Sequence, residues 1–162
     1  MDYLWSPWRY QYVSRASEPS RCIFCDHPQN PRDEENYILC RGRLSYVLLN
    51  LYPYTAGHLM IAPYAHVPDL SGASPEALAE IMELAQAAER ALRAEYQPDG
   101  FNAGFNIGQC AGAGVAGHLH LHLLPRWFAD SNFMTVVGET RVLPEDLPTT
   151  YGKLRPHFQS EK

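Results

Sequence analysis

The sequence predicts an α+β domain built on a mostly antiparallel sheet, with one long amphipathic helix and a shorter C-terminal helix. Three observations carry this reading. Several short strand-like runs are punctuated by glycine and proline turns. One stretch, and only one of real length, repeats its apolar residues at helical spacing. Residues 117–127 alternate histidine with leucine, and in a strand that spacing separates two faces. A chain of 162 residues favours a single domain, 1–162, flanked by an aromatic N-terminal extension over 1–20 and a C-terminal extension over 144–162.

The elements follow in order. Residues 1–20 hold Tyr3, Trp5, Trp8, Tyr10 and Tyr12 without a helical or strand period, so they are expected to pack on the domain or on a partner subunit. After Cys22-Ile23-Phe24-Cys25 and a polar loop, residues 37–41 and 45–51 read as two strands turning at Gly42. A turn over 53–57 leads to a third strand, 58–63. Ser74-Pro75-Glu76 is a helix start: a capping hydroxyl, a proline at the first helical position and an acid in the first turn. Leu78, Ile81, Met82, Ala85, Ala88 and Leu92 then form an apolar stripe that ends near Gln97-Pro98-Asp99-Gly100. Strands are expected at 101–107, along the histidine row and at 133–137. From Pro144 onward a weak helical signal is interrupted by Pro148 and Pro156.

Composition removes whole classes of function. The net charge of −5 opposes bulk electrostatic binding to nucleic acid or to an anionic membrane. No run approaches the length of a membrane span, and the N-terminus lacks the basic-then-apolar pattern of a signal peptide. Four scattered cysteines do not suggest a disulfide scaffold, so a cytoplasmic location is expected.

His118, His120 and His122 would line one strand face, with Leu119, Leu121 and Leu123 on the other. Three readings are open at this point. The row is a structural cluster, a metal site, or a nucleophile with neighbours that set its tautomer and charge. Just before it, Gly108, Gly112, Gly114 and Gly117 make a loop whose bare backbone N–H groups can approach an anion. Asn106 and Gln109 add side-chain donors, and Arg126 adds a fixed charge.

Asn106-Ile107-Gly108, the glycine loop, His118-Leu119-His120-Leu121-His122 and Pro125-Arg126 resemble the histidine triad (HIT) family of nucleotide hydrolases and transferases. Upstream, the run from Leu49-Asn50-Leu51 through Gly57-His58 to Pro63 is similar to that family's nucleotide-binding strands. The chain further resembles the bacterial branch that includes diadenosine tetraphosphate phosphorylases. The resemblance implies a HIT-like fold and a nucleotidyl-histidine intermediate on His120. His122 and His58 would stabilise phosphate charge, Asn50 would meet the ribose, and Leu49 and Leu51 would wall the base. Asn106, Gly108, Gly112, Gly114 and Arg126 fall where phosphate is held. Many members carry a hydroxyl or amide just before the triad. Here none lies between Gln109 and His118, which leaves the backbone to supply those donors. The implied activity is nucleotidyl transfer or hydrolysis on a dinucleoside polyphosphate, with phosphate or water as acceptor. Alternatives are hydrolysis of adenosine phosphoramidate or another adenylylated molecule, a nucleotide-binding regulator with weak activity, and a non-heme metalloenzyme using the histidine row. The partner would be a small nucleotide, and the assembly a homodimer or higher homo-oligomer.

Cys22-x-x-Cys25 reads as a redox pair without its usual βαβ context, a chance pair, or half of a structural zinc site needing two further ligands. Zinc-containing relatives imply that His66 and His118 complete the set, with His27 as a spare candidate. Cys40 and Cys110 read as a buried apolar position and a loop thiol.

Overall fold

The computed structural model describes residues 22–128, 130 and 143–159. The extension over 1–20 and the strand expected over 133–137 lie outside the described residues. The α+β expectation is met. Among the described residues five antiparallel strands, β1 (Ile38–Arg41), β2 (Ser45–Leu49), β3 (Leu59–Pro63), β4 (Gly100–Phe105) and β5 (Leu121–Arg126), form one sheet in the order β1-β2-β3-β5-β4. Among the described residues three α-helices accompany it: α1 (Ile23–Asp26), α2 (Pro75–Tyr96) and α3 (Leu147–Gln159).

The two sheet faces have separate cores because strand side chains alternate. On one face Val47, Leu49, Leu59, Ile61, Leu121 and Leu123 pack against Ile81, Ala85, Ala88, Ala91 and Leu92 of α2 and against Leu154 and Phe158 of α3. Complete burial of each large aliphatic side chain here contributes about 1.5–3 kcal/mol. On the other face Phe24, Ile38, Tyr46, Leu48, Met60 and Ala62 form a smaller cluster under α1. Leu121 and Leu123 of the histidine row therefore face the helices, as their alternation predicts, whereas Leu119, also buried, precedes the strand and lies outside that cluster.

The start of α2 follows its sequence: the Ser74 hydroxyl accepts the Ala77 N–H at 3.1 Å, and Pro75 opens the helix. Met82 is a correction to the expected stripe. It is 55% exposed, one step round from the buried Ile81. α3 also corrects the sequence reading, since it runs unbroken through both prolines. Pro148 occupies the first turn, where an N–H has no intrahelical partner, and Pro156 comes so near the end that only the last turn loses a bond.

Of the strands that are shorter than expected, β2 and β5 shape the site. β2 ends at Leu49 because the Asn50 side chain turns back to accept the Tyr52 N–H at 2.9 Å. β5 begins only at Leu121, so His118 and His120 precede the strand that carries His122. Pairing with β3 stops at Ile61↔Leu121. Beyond it the Leu119 N–H turns away to the Val67 carbonyl at 2.7 Å.

Candidate active site

Gly57 places His58. Its φ of +74° lies in the left-handed region, and a Cβ there would come within 2.9 Å of Leu92 Cδ2, so the turn sits directly on α2. The next residue, His58, is buried and enters β3. Its Nδ1 accepts the Tyr54 backbone N–H at 3.2 Å and lies 3.3 Å from the Asn50 amide nitrogen. The ring proton is therefore on Nε2, which donates to His122 Nδ1 at 3.0 Å. With its Nδ1 accepting, His122 carries its own proton on Nε2. A backbone amide thus sets two tautomers in series.

His120 is fixed differently. Its Nδ1–H donates to the His118 carbonyl at 2.7 Å, which leaves the Nε2 lone pair uncommitted. The ring lies against Phe24 on one side, with centroids 4.6 Å apart and 29° between planes. His122 meets it edge-on at 4.9 Å. Burial lowers the basicity of all three imidazoles. For His122 burial and then the neighbouring His120 bring the pKa down to about 4. For His58 burial, then His122 and His120, bring it to about 3. His120 is also lowered by burial, against the pull of the His118 carbonyl. At neutral pH the cluster is three uncharged imidazoles: a lone pair on His120 beside an N–H on His122. An anion entering the site would raise these values again, since it favours the protonated forms.

The pocket above them is lined by His120, His122, Asn50, Leu51, Gly112 and Gly114, all named from sequence, together with several that were not. Those missed are Ile23, Phe24, Leu48, Tyr52, Tyr54 and Met60, and His27 lines the pocket although it was named only as a spare metal ligand. Two of them were within reach, since Leu48 and Met60 are cross-strand partners and Met60 also pairs with His122. Gly112 reaches the pocket in a backbone with φ +91°, which suits glycine. Leu49 is 1% exposed and faces the helix core, outside the pocket lining. Asn106 and Gly108 lie beyond the end of β4, also outside the lining. The Arg126 guanidinium engages both oxygens of Asp130 and the Asn102 amide oxygen, at 2.6 Å for the latter, at the far end of β5.

A second cluster lies on the other side of Phe24. Ligand atoms of Cys22, Cys25, His66 and His118 all fall within 4.8 Å of one another. His118 Nδ1 is 3.3 Å from Cys22 Sγ and 3.6 Å from Cys25 Sγ, and His66 Nδ1 is 3.3 Å from Cys25 Sγ. In tetrahedral zinc sites, bond lengths of about 2.3 Å to sulfur and about 2.0 Å to nitrogen put such atoms about 3.5 Å apart. The donors and their spacing therefore fit a tetrahedral Cys₂His₂ zinc site. The His118 Nε2–H donates to the Pro63 carbonyl at 2.8 Å, which turns Nδ1 toward the sulfurs and orients the ring as an outer-shell bond does. Burial, followed by the adjacent Cys22, pushes the Cys25 thiol up to about 11. A dication among these sulfurs would reverse that. His27, the spare candidate, lies in the pocket wall rather than in this cluster.

A family model described as HIT domain matches residues 32–129. An AP-4-A phosphorylase of Mycobacterium tuberculosis is 41% identical over 158 residues, covering 93% of this chain and 80% of the relative. A solved structure of a hypothetical histidine triad nucleotide-binding protein from Sulfolobus tokodaii superimposes with a TM-score of 0.68 at 25% identity, over 86% of this chain and 93% of that one. A zinc-bound histidine triad family protein from Mycobacterium smegmatis gives a TM-score of 0.63 at 24% identity, over 93% of each chain.

Proposed function

The chain belongs to the HIT domain family, and from that premise we propose that it transfers a nucleotidyl group from a dinucleoside polyphosphate of the diadenosine tetraphosphate type through an intermediate on His120. One observation carries the assignment to His120: its Nδ1–H is held by the His118 carbonyl at 2.7 Å, so Nε2 is a neutral lone pair in the pocket wall. Nε2 bonds to the α-phosphorus, and the P–O bond to the leaving polyphosphate breaks with its electron pair going to that oxygen. His120 keeps its Nδ1 proton and becomes a cationic N-phosphoryl imidazolium. The acceptor then takes the nucleotidyl group and restores neutral His120. His122 Nε2–H is the donor beside the reacting phosphate, and His58 holds that tautomer. Gly112 and Gly114 bring backbone to the phosphates, and Asn50, Leu51 and Tyr52 border the nucleoside.

Inorganic phosphate is the proposed acceptor, supported by the M. tuberculosis relative named as an AP-4-A phosphorylase. Zinc is the proposed metal of Cys22, Cys25, His66 and His118, supported by the spacing of those donors and by the zinc-bound M. smegmatis structure. Four protein donors close such a site, so its contribution is to cross-link α1 to the chain ahead of β5. A homodimer is proposed through the outer edge of β4, where Asn102, Ala103 and Gly104 are exposed and β5 is the strand's partner in the sheet. No described helix is long and apolar enough to cross a membrane; a cytoplasmic location is proposed on the cysteines, none of which is in a disulfide. Incubation with diadenosine tetraphosphate, with and without inorganic phosphate, tests the reaction. ADP plus ATP is the expected outcome with phosphate present. AMP plus ATP in both conditions would replace phosphorolysis by hydrolysis, and an untouched substrate would overturn the enzymatic assignment.

A further inference from the structure

Phe24 sits in α1 between Cys22, the residue that caps the helix, and Cys25, and is 1% exposed. Its backbone carbonyl accepts the Tyr46 hydroxyl at 2.8 Å, which ties it to β2. Its ring lies 5.2 Å from His118 and is stacked on His120 at 4.6 Å, 29° between planes. The Nδ1 carbonyl bond alone leaves the imidazole free to swing about that bond. A stacked ring on one side and the His122 edge on the other remove the swing.

The stack also discriminates between two charge states. A neutral imidazole gains little electrostatically from an aromatic face, whereas a cation within about 6 Å of a ring centroid is attracted to its quadrupole. In the reaction proposed above, the His120 ring is neutral before attack and positively charged after it. An interaction that strengthens only as charge develops lowers the barrier instead of merely improving binding. We propose that Phe24 is a positioning residue for the nucleophile, its ring face holding the His120 imidazole in one plane and stabilising the positive charge that ring acquires when Nε2 attacks phosphorus. The inference rests on His120 being the nucleophile.

The test replaces Phe24 with phenylalanines of increasing ring fluorination, which keep the shape and progressively cancel the quadrupole. The full chain is used, with thermal stability and zinc content measured alongside. The readout is the saturating single-turnover rate of adduct formation with diadenosine tetraphosphate, taken separately from the half-saturating concentration. That rate is expected to fall steadily along the series, by about 10-fold at pentafluorophenylalanine, with half-saturation, stability and zinc content held. Phe24→Leu, which keeps apolar volume and loses the ring face, is expected to match the pentafluoro chain in rate. A rate indifferent to fluorine, or a series that moves half-saturation alone, would overturn the inference while leaving the reaction intact. Absence of any His120 adduct on the unmodified chain would overturn the proposed function, and this inference with it.

Discussion

The two imidazole clusters flanking Phe24 use the same side chain in opposite senses. In the cysteine cluster a carbonyl holds Nε2 of His118, and Nδ1 is left for the sulfurs. In the pocket a carbonyl holds Nδ1 of His120, and Nε2 is left without a backbone partner. Each ring is neutral, each is buried, and they are two residues apart. The difference lies in which nitrogen the backbone occupies. One choice turns the remaining lone pair toward the sulfurs of the proposed metal site, and the other leaves it facing an open pocket.

The largest test of this contrast is His120→Ala. Loss of the proposed nucleophile is expected to cut turnover of diadenosine tetraphosphate by about 10⁴-fold or more, with an unchanged circular dichroism spectrum and melting temperature within a few degrees. Retained turnover would end the distinction between the two clusters. Cys25→Ser should show the reverse pattern. Metal analysis is expected to go from one zinc per chain to none, and the melting temperature to drop by about 10 °C, as loss of a structural cross-link requires. Turnover well below that melting temperature should stay within about 10-fold of the parent. A collapse of turnover in a chain that is still folded would make the clusters one functional unit.

His122→Asn should lie between these. It keeps a donor near the phosphate without the ring geometry and is expected to cost about 10²-fold in kcat with little change in stability. The smallest effect is on the pH dependence of folding. His58 and His122 are held below their unfolded value of about 6.5, at about 3 and about 4, so the unfolded chain binds more protons in acid. Stability is therefore complete above about pH 6.5 and declines as pH falls toward those values, by up to about 1.4 kcal/mol per unit for each group. Urea denaturation between pH 7.5 and 5.5 should show the slope, His122→Asn should reduce it, and a bound nucleotide phosphate should flatten it. A slope unchanged by that substitution would mean that other groups carry it.

The fold was legible wherever periodicity reports burial. Ser74, Pro75 and the Ile81–Ala85–Ala88–Leu92 steps define α2, and alternation sends Leu121 and Leu123 to the helix side. Parity also held a warning that the resemblance overrode. Leu49 lies one residue from Leu48 and so faces the opposite side, into the core, while Leu48 and Met60 line the pocket. Spacing alone could not divide the histidine row; only the family resemblance implied separate roles for His118, His120 and His122. Even spacing suggested one strand face, yet β5 starts after His120, because Leu119 bonds to Val67 and His118 to Pro63, both remote in sequence. Nor did the cysteine pair reveal Phe24: its stacking on His120 depends on α1 folding over a strand pair formed far downstream. Pro156 misled for a local reason, since a proline near a helix end disturbs too few bonds to break it.

His118 takes part in both clusters, but through different atoms: its side chain faces the sulfurs, and its main-chain oxygen holds His120. Any residue at position 118 brings that oxygen. In evolutionary terms the two contributions are separable. A lineage can lose the sulfur donors and the proposed metal one substitution at a time, compensating with apolar packing around α1, while the restraint on the His120 ring is inherited through the main chain. Dependence on the proposed metal is thus free to vary among descendants of such a chain, and the orientation of His120 Nε2 is not.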